Sequence, residues 1–169
     1  MPKQTWVNKR RMAAHIYMEL GWMTGAFHVD EGRYFTEWIN RPVGFIPLTD
    51  ALIPKHEQAI PFFALQKDAA HLIVPNEDDD QLEPAITPGG KASRPISCLL
   101  SLGVVNGEVH MISNMRVSDF LTHHPGFFIL RNCTSSLWQS KEPASSPPVA
   151  PVVIINAHHV IGVTEMSAP

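Results

Sequence analysis

Nine histidines and two cysteines are the residues of this chain best suited to chemistry, and their spacing decides what they can do. His123-His124 and His158-His159 are adjacent pairs. Neighbouring residues of a strand point to opposite faces, so one such pair makes a poor chelate. There is no HExxH motif, because His56-Glu57 is followed by Gln58, Ala59 and Ile60. Cys98 and Cys133 lack CxxC spacing and sit in apolar, strand-like surroundings, which reads as buried thiols in a reducing compartment rather than a disulfide framework. Cys133 has only Arg131 as an electropositive neighbour, too little to activate a thiolate. Ser118-Asp119 has no base at a defined place, and a helix N-cap accounts for both residues. The run Gly89-Gly90-Lys91-Ala92-Ser93 lacks the first glycine and the following helix of a phosphate loop. These patterns lead to the expectation of a non-enzyme with no catalytic residues, cofactor or metal.

What must position the remaining candidates is a repeat. Sliding the chain against itself by 82 positions aligns residues 15–52 with 97–134 without a gap. Seven identities fall in that window, Leu20/Leu102, Gly21/Gly103, Gly25/Gly107, His28/His110, Gly44/Gly126, Phe45/Phe127 and Leu48/Leu130, where background composition gives about two. Thr36-Glu37-Trp38-Ile39 falls on Ser118-Asp119-Phe120-Leu121, keeping hydroxyl, acid, aromatic and aliphatic in order. Gly21, Gly25, Gly103 and Gly107 are expected at turns or bulges, and Trp38 and Phe120 in the core.

Each copy reads as strand, Gly turn, strand, one helical turn, then three more strands. Ile16, Met18 and Leu20 alternate with mixed neighbours, as Cys98, Leu100 and Leu102 do, the period of half-buried strands. In the second strand Met23, Phe27 and Val29, or Val105, Val109 and Met111, share one face. Trp22, Thr24, Ala26 and His28, or Val104, Asn106, Glu108 and His110, occupy the other. Thr36 and Ser118 are the expected helix N-caps. Third, fourth and fifth strands are expected near 45–50, 61–65 and 71–74, and again near 127–132, 152–155 and 160–163. The fold class is thus mostly β, an internal duplication of a small five-stranded barrel-like or bent-sheet module with one short helical turn per copy.

His28 and His110 then occupy equivalent outward positions, which suits an interface or a pH-sensitive contact as well as two ordinary polar sites inherited from one ancestor. Lys3, Lys9, Arg10 and Arg11 form an acid-free basic start, whereas Glu77, Asp78, Asp79, Asp80 and Glu83 form a base-free acidic run. Both fit solvated segments. The basic arm also fits an acidic partner or an anionic membrane face.

The division expected is a basic arm over 1–12, copy one over 13–75, an acidic then Pro/Gly-rich linker over 76–95, copy two over 96–165, and a tail over 166–169, with a second Pro-rich loop at 141–148. A net charge of -3 argues against broad nucleic-acid binding, and no stretch reaches the length of a membrane span. No secretory signal pattern opens the chain, so the expected location is cytoplasmic, with a membrane-peripheral position open through the arm.

The segment Arg116-Val117-Ser118-Asp119-Phe120-Leu121, the Phe-rich strand after it and the closing Ile155–Val163 resemble a set of uncharacterised bacterial small-β domains. Tyr34–Asn40, with its basic residue shifted to Arg33, is similar to the same motif. The resemblance covers about two-thirds of the chain and implies a bacterial all-β protein, with no activity or site residues to carry over. The function expected is an accessory or interaction subunit of a larger bacterial assembly, such as a respiratory or photosynthetic membrane complex. Residues 1–12 and 76–95 would lie against its other protein subunits, with Lys3, Lys9, Arg10, Arg11, His28 and His110 as partner contacts. Two alternatives stand beside it. One is a small-barrel nucleic-acid binder using Arg33, Tyr34 and Trp38, and the other a histidine-dependent metal enzyme.

Overall fold

The computed structural model describes residues 7–84, 92–101, 103–112, 114–135, 137 and 150–166. The expected loop at 141–148, the glycines of the linker, Lys3 and Leu102 lie outside them. The fold is mostly β, ten antiparallel strands in one open sheet with a few short helices. The first five strands are β1 (Lys9–Met18), β2 (Gly21–Asp30), β3 (Phe45–Leu52), β4 (Ile60–Gln66) and β5 (Leu72–Pro75). The last five are β6 (Ala92–Leu100), β7 (Gly103–Met111), β8 (Phe127–Ser135), β9 (Val152–Asn156) and β10 (Val160–Glu165). Helices α1 (Phe35–Ile39), α2 (Asp79–Leu82) and α3 (Val117–His123) accompany them, with 3-10 turns at Lys67–Ala69 and Ala157–His159. None of these helices is long and apolar enough to cross a membrane.

The sheet runs β10-β6-β7-β8-β9-β5-β1-β2-β3-β4. Within it the order β5-β1-β2-β3-β4 is matched, element for element, by β10-β6-β7-β8-β9. Corresponding strands share one register. Ala14 opposes Gly25 where Ile96 opposes Gly107, and the β2–β3 bulge between Thr24 and Ala26 has its counterpart between Asn106 and Glu108 of β7. Gly21 and Gly103, which open β2 and β7, have φ of 110° and 152°, backbone that favours glycine. Asp50 and Asn132 share φ of 52° and 50° beside the two bulges, a conformation their short polar side chains tolerate. All these pairs stand 82 residues apart, and the offset rises to 90 beyond β8, where Ile16 opposite Ile73 corresponds to Cys98 opposite Val163.

The two sets are not separate. Strands β5 and β9 pair antiparallel, Leu72 with Ile155 and Ile73 with Ile154, so ten strands make one sheet. Each hydrophobic core then borrows from the other half. The first, built on Met12, Ile16, Phe27, Trp38 and Leu48, takes in Phe127, Ile129 and Ile154. The second, built on Ile96, Cys98, Val109, Phe120 and Leu130, takes in Trp22, Leu72 and Val74. Sharing suits halves whose length alone buries little.

Several expectations are corrected. Leu20, expected in a half-buried strand, lies in the turn after β1 and is exposed, because the strand ends at Met18. Trp22 is buried rather than outward, its Nε1 donating to Leu137 O at 3.3 Å from within the second core. Helices α1 and α3 start two residues earlier than expected, with Tyr34 and Arg116 at the N-cap and no side-chain cap. Thr36 Oγ1 instead donates to Leu82 O at 2.9 Å, fastening α1 to α2. The basic arm is a strand from Lys9 onward, and residues 92–95 of the expected linker already belong to β6. His123-His124 and His158-His159 fall in α3 and its C-cap and in a 3-10 turn rather than in strands.

Candidate functional site

Three places concentrate polar chemistry or unsatisfied surface: a groove between the halves, the seam where β5 meets β9, and the two ends of the sheet. The groove lies between α1, the segment after α2, β7, α3 and β8, and encloses about 510 Å³, within the size range of small-ligand sites. Its lining is largely apolar, with Val109, Met111, Phe120 and Phe128 among it, and Glu37, Glu83, Glu108 and Arg131 supply charge. Arg131 is already engaged. Its Nη1 lies 2.6 Å from Asp79 and its Nη2 2.8 Å from Glu83. Burial works against its charge, yet the hydrogen bonds it donates to Glu83 and Asp79 outweigh that, and its pKa is raised. Asp79 and Glu83 of the acidic run after β5 are therefore tied to β8.

The opening of the groove is held by one side chain. Asn40, the C-cap of α1, donates through Nδ2 to Phe127 O at 2.9 Å and accepts from Phe127 N at 2.7 Å. This ties the first half to the first residue of β8. A Cβ on Gly126 would lie 2.2 Å from Asn40 Oδ1, so glycine is required there for the approach.

His110 lines this groove and its Nδ1 is buried with no hydrogen-bond partner among the described residues. Its counterpart His28 is differently placed, with Nε2 2.7 Å from Thr49 Oγ1. Sequence equivalence therefore does not bring these histidines together. Among the described residues no group of three His, Cys, Asp or Glu side chains is arranged to hold a metal ion. Cys98 and Cys133 are free and buried, and burial pushes both thiols up to about 12, far from the thiolate chemistry of reactive cysteines.

The basic candidates also have intramolecular counter-ions. Lys9 Nζ lies 3.2 Å from Asp30, Arg10 Nε 2.6 Å from Glu77, and Arg11 Nη2 3.1 Å from Asp50. Arg10 additionally donates to the backbone oxygens of Asp30, Arg33 and Gln81. Trp38, a proposed base-stacking residue, is buried in an aromatic cluster, stacked on Phe35 at 5.9 Å and edge-on to Phe27 at 5.9 Å. Its face cannot meet a nucleobase without opening that core.

At the seam, polar groups are packed around the β5–β9 pairing. His71 stacks on His159 with ring centroids 3.8 Å apart, and its backbone oxygen accepts from Asn156 N at 3.0 Å. Asn156 Nδ2 donates to Ala70 O at 3.0 Å, and its Oδ1 accepts from His158 N at 3.1 Å. His158 Nδ1 lies 2.9 Å from Asp68, and His159 Nε2 also contacts Asp68 O. Burial lowers the pKa of His71, the charge of His159 lowers it further, and Glu19 opposes both. A folded-state value below that of the unfolded chain means the unfolded chain binds the proton more readily. Stability is therefore expected to fall as pH drops below about 6.5, the ordinary histidine value. Thermal melts between pH 7.5 and 5 should show a falling Tm, and His71→Leu should flatten the profile; an unchanged slope in that variant would take His71 out of the linkage.

The sheet ends on β4 and β10, the positions least marked in the sequence. Among the described residues, neither edge is hydrogen-bonded on its outer side. Phe62 on β4 and Ile161 on β10 are exposed, as is Phe45 at the start of the adjoining β3. The sequence signal that could have found them is the absence of charge: Ile60–Gln66 carries none, and Val160–Glu165 only its last residue. Compared with known proteins, the chain matches no family model, no curated protein and no solved structure.

Proposed function

We propose that this chain is a non-enzymatic interaction subunit, a duplicated five-strand module that joins a larger assembly through the two open edges of its sheet. The observation that carries the reading is the chemistry of those edges. Proteins that remain monomeric blunt exposed strands with lysine, proline, a bulge, inward charge or a covering loop, and of these β4 carries Pro61 and β10 a bulge between Val160 and Gly162. Among the described residues β4 and β10 nonetheless present unpaired backbone beside the exposed Phe62 and Ile161, with no lysine on either strand, and the charges of β1 are used within the fold. Support for the duplication comes from the shared strand order, the shared bulge register and the matching positive-φ positions. The groove between the halves adds a ligand-sized recess, with no assembled nucleophile and base among the described residues that line it.

The test is the native size of the protein in an extract of its own cells. The 18.8 kDa chain should migrate in an assembly well above its own mass, and Phe62→Lys and Ile161→Lys should each return it to monomer size without loss of the circular dichroism of the folded sheet. Migration of the unaltered chain as a monomer would contradict the reading.

A further inference from the structure

We infer that the partner at these edges is a second copy of the same chain, with β10 of one copy pairing antiparallel with β4 of the next and repeating the β5–β9 join already present inside each chain. The inference rests on the proposed use of the edges and names their occupant. Strand β5 corresponds to β10, and β9 to β4, in the matched strand orders. The internal join thus pairs a fifth strand with a fourth strand, and the two strands left over at the ends of the sheet are a fifth and a fourth. Carrying the internal register across, where Leu72 faces Ile155 and Ile73 faces Ile154, Gly162 of one copy would face Leu65 of the next, and Val163 would face Ala64.

The residues exposed at the ends are the counterparts of residues buried at the internal join. Phe45, 63% exposed, corresponds to Phe127, which is 5% exposed beneath α1. Ile161, 66% exposed, corresponds to His71, 6% exposed against His159. Ala64 corresponds to Ile154 of the first core. That core is completed by Phe127, Ile129 and Ile154 from the other half, whereas the corresponding Phe45, Pro47 and Ala64 are turned to solvent at the far end of the chain. A neighbouring copy would cover them with its second core and α3. Gln66, the counterpart of Asn156, would then supply a side-chain amide at the new seam, where Asn156 now donates to Ala70 O. Contacts of this head-to-tail kind close into a ring when the rotation between copies divides a full turn and otherwise extend as a filament.

Cysteine pairing tests the register directly in a Cys98→Ala/Cys133→Ala background, which removes the native thiol that stands opposite Val163 in the β10–β6 pairing. Mild oxidation of the purified double variant Ala64→Cys/Val163→Cys should give a covalent ladder of multiples of 18.8 kDa on a non-reducing gel. Each single variant alone should stay uncross-linked, while their equimolar mixture should give a dimer. Adding Ile161→Lys should suppress the ladder in protein whose thermal melt shows it folded. No interchain bond in the mixture, equal cross-linking by either single variant alone, or a ladder indifferent to Ile161→Lys would overturn the inference. A large assembly in cell extract with no interchain bond in the purified protein would overturn it while leaving the proposed function intact.

Discussion

Trp38→Ala will destabilise the protein by about 3 to 5 kcal/mol, the range for truncating a large buried aromatic. The ring is almost fully buried, packs on Phe27 and Phe35, and carries Arg41 4.7 Å above it. It also joins the halves, since its core includes Phe127, Ile129 and Ile154. No hydrogen bond is lost with the ring, because Trp38 Nε1 has no partner among the described residues and its removal leaves none orphaned. Trp38→Phe should therefore cost distinctly less than Trp38→Ala, since it keeps an aromatic ring and removes a buried donor without a partner. Urea unfolding of the two variants measures both values. A cost below about 1 kcal/mol for the alanine variant would place Trp38 outside the load of the core.

The second large effect separates two glycines that occupy matching places in the two strand sets, opposite Ala14 and Ile96. A Cβ at Gly107 would stand 2.6 Å from Leu130 Cγ and 2.8 Å from Arg131 O, and the second of these is backbone that cannot rotate away. Gly107→Ala should cost about 1 to 3 kcal/mol by overpacking. At Gly25 the nearest atom is Leu48 Cδ1 at 3.4 Å, the end of a side chain that can give, so Gly25→Ala should change stability by less than about 1 kcal/mol. Parallel denaturation curves decide the matter, and equal costs at the two positions would contradict the difference in packing.

Much of the strand pattern was legible in the sequence because strict alternation and turn glycines occur in both halves: Met23, Phe27 and Val29 are all buried, and Val105, Val109 and Met111 at the matching places are too. Tertiary pairing was not legible. Nothing local in Leu72 or Ile155 says that β5 pairs with β9, and Trp22 is buried by residues from another half of the chain. The basic residues looked available for a partner because their counter-ions, Asp30, Glu77 and Asp50, are distant in sequence. The helix caps were misplaced for a similar reason, as Thr36 finds its acceptor in Leu82 rather than in its own helix. Of the candidate site, the pair His28 and His110 was visible as a repeat but differs in surroundings. The edges at β4 and β10 became visible only once the strand order was in place.

These edges are expected to be occupied when the protein is alone in solution. Light scattering on the purified, unaltered chain over a wide range of concentration measures this without any substitution. A mass that is a multiple of 18.8 kDa is the predicted result, and a mass of 18.8 kDa at every concentration would contradict it.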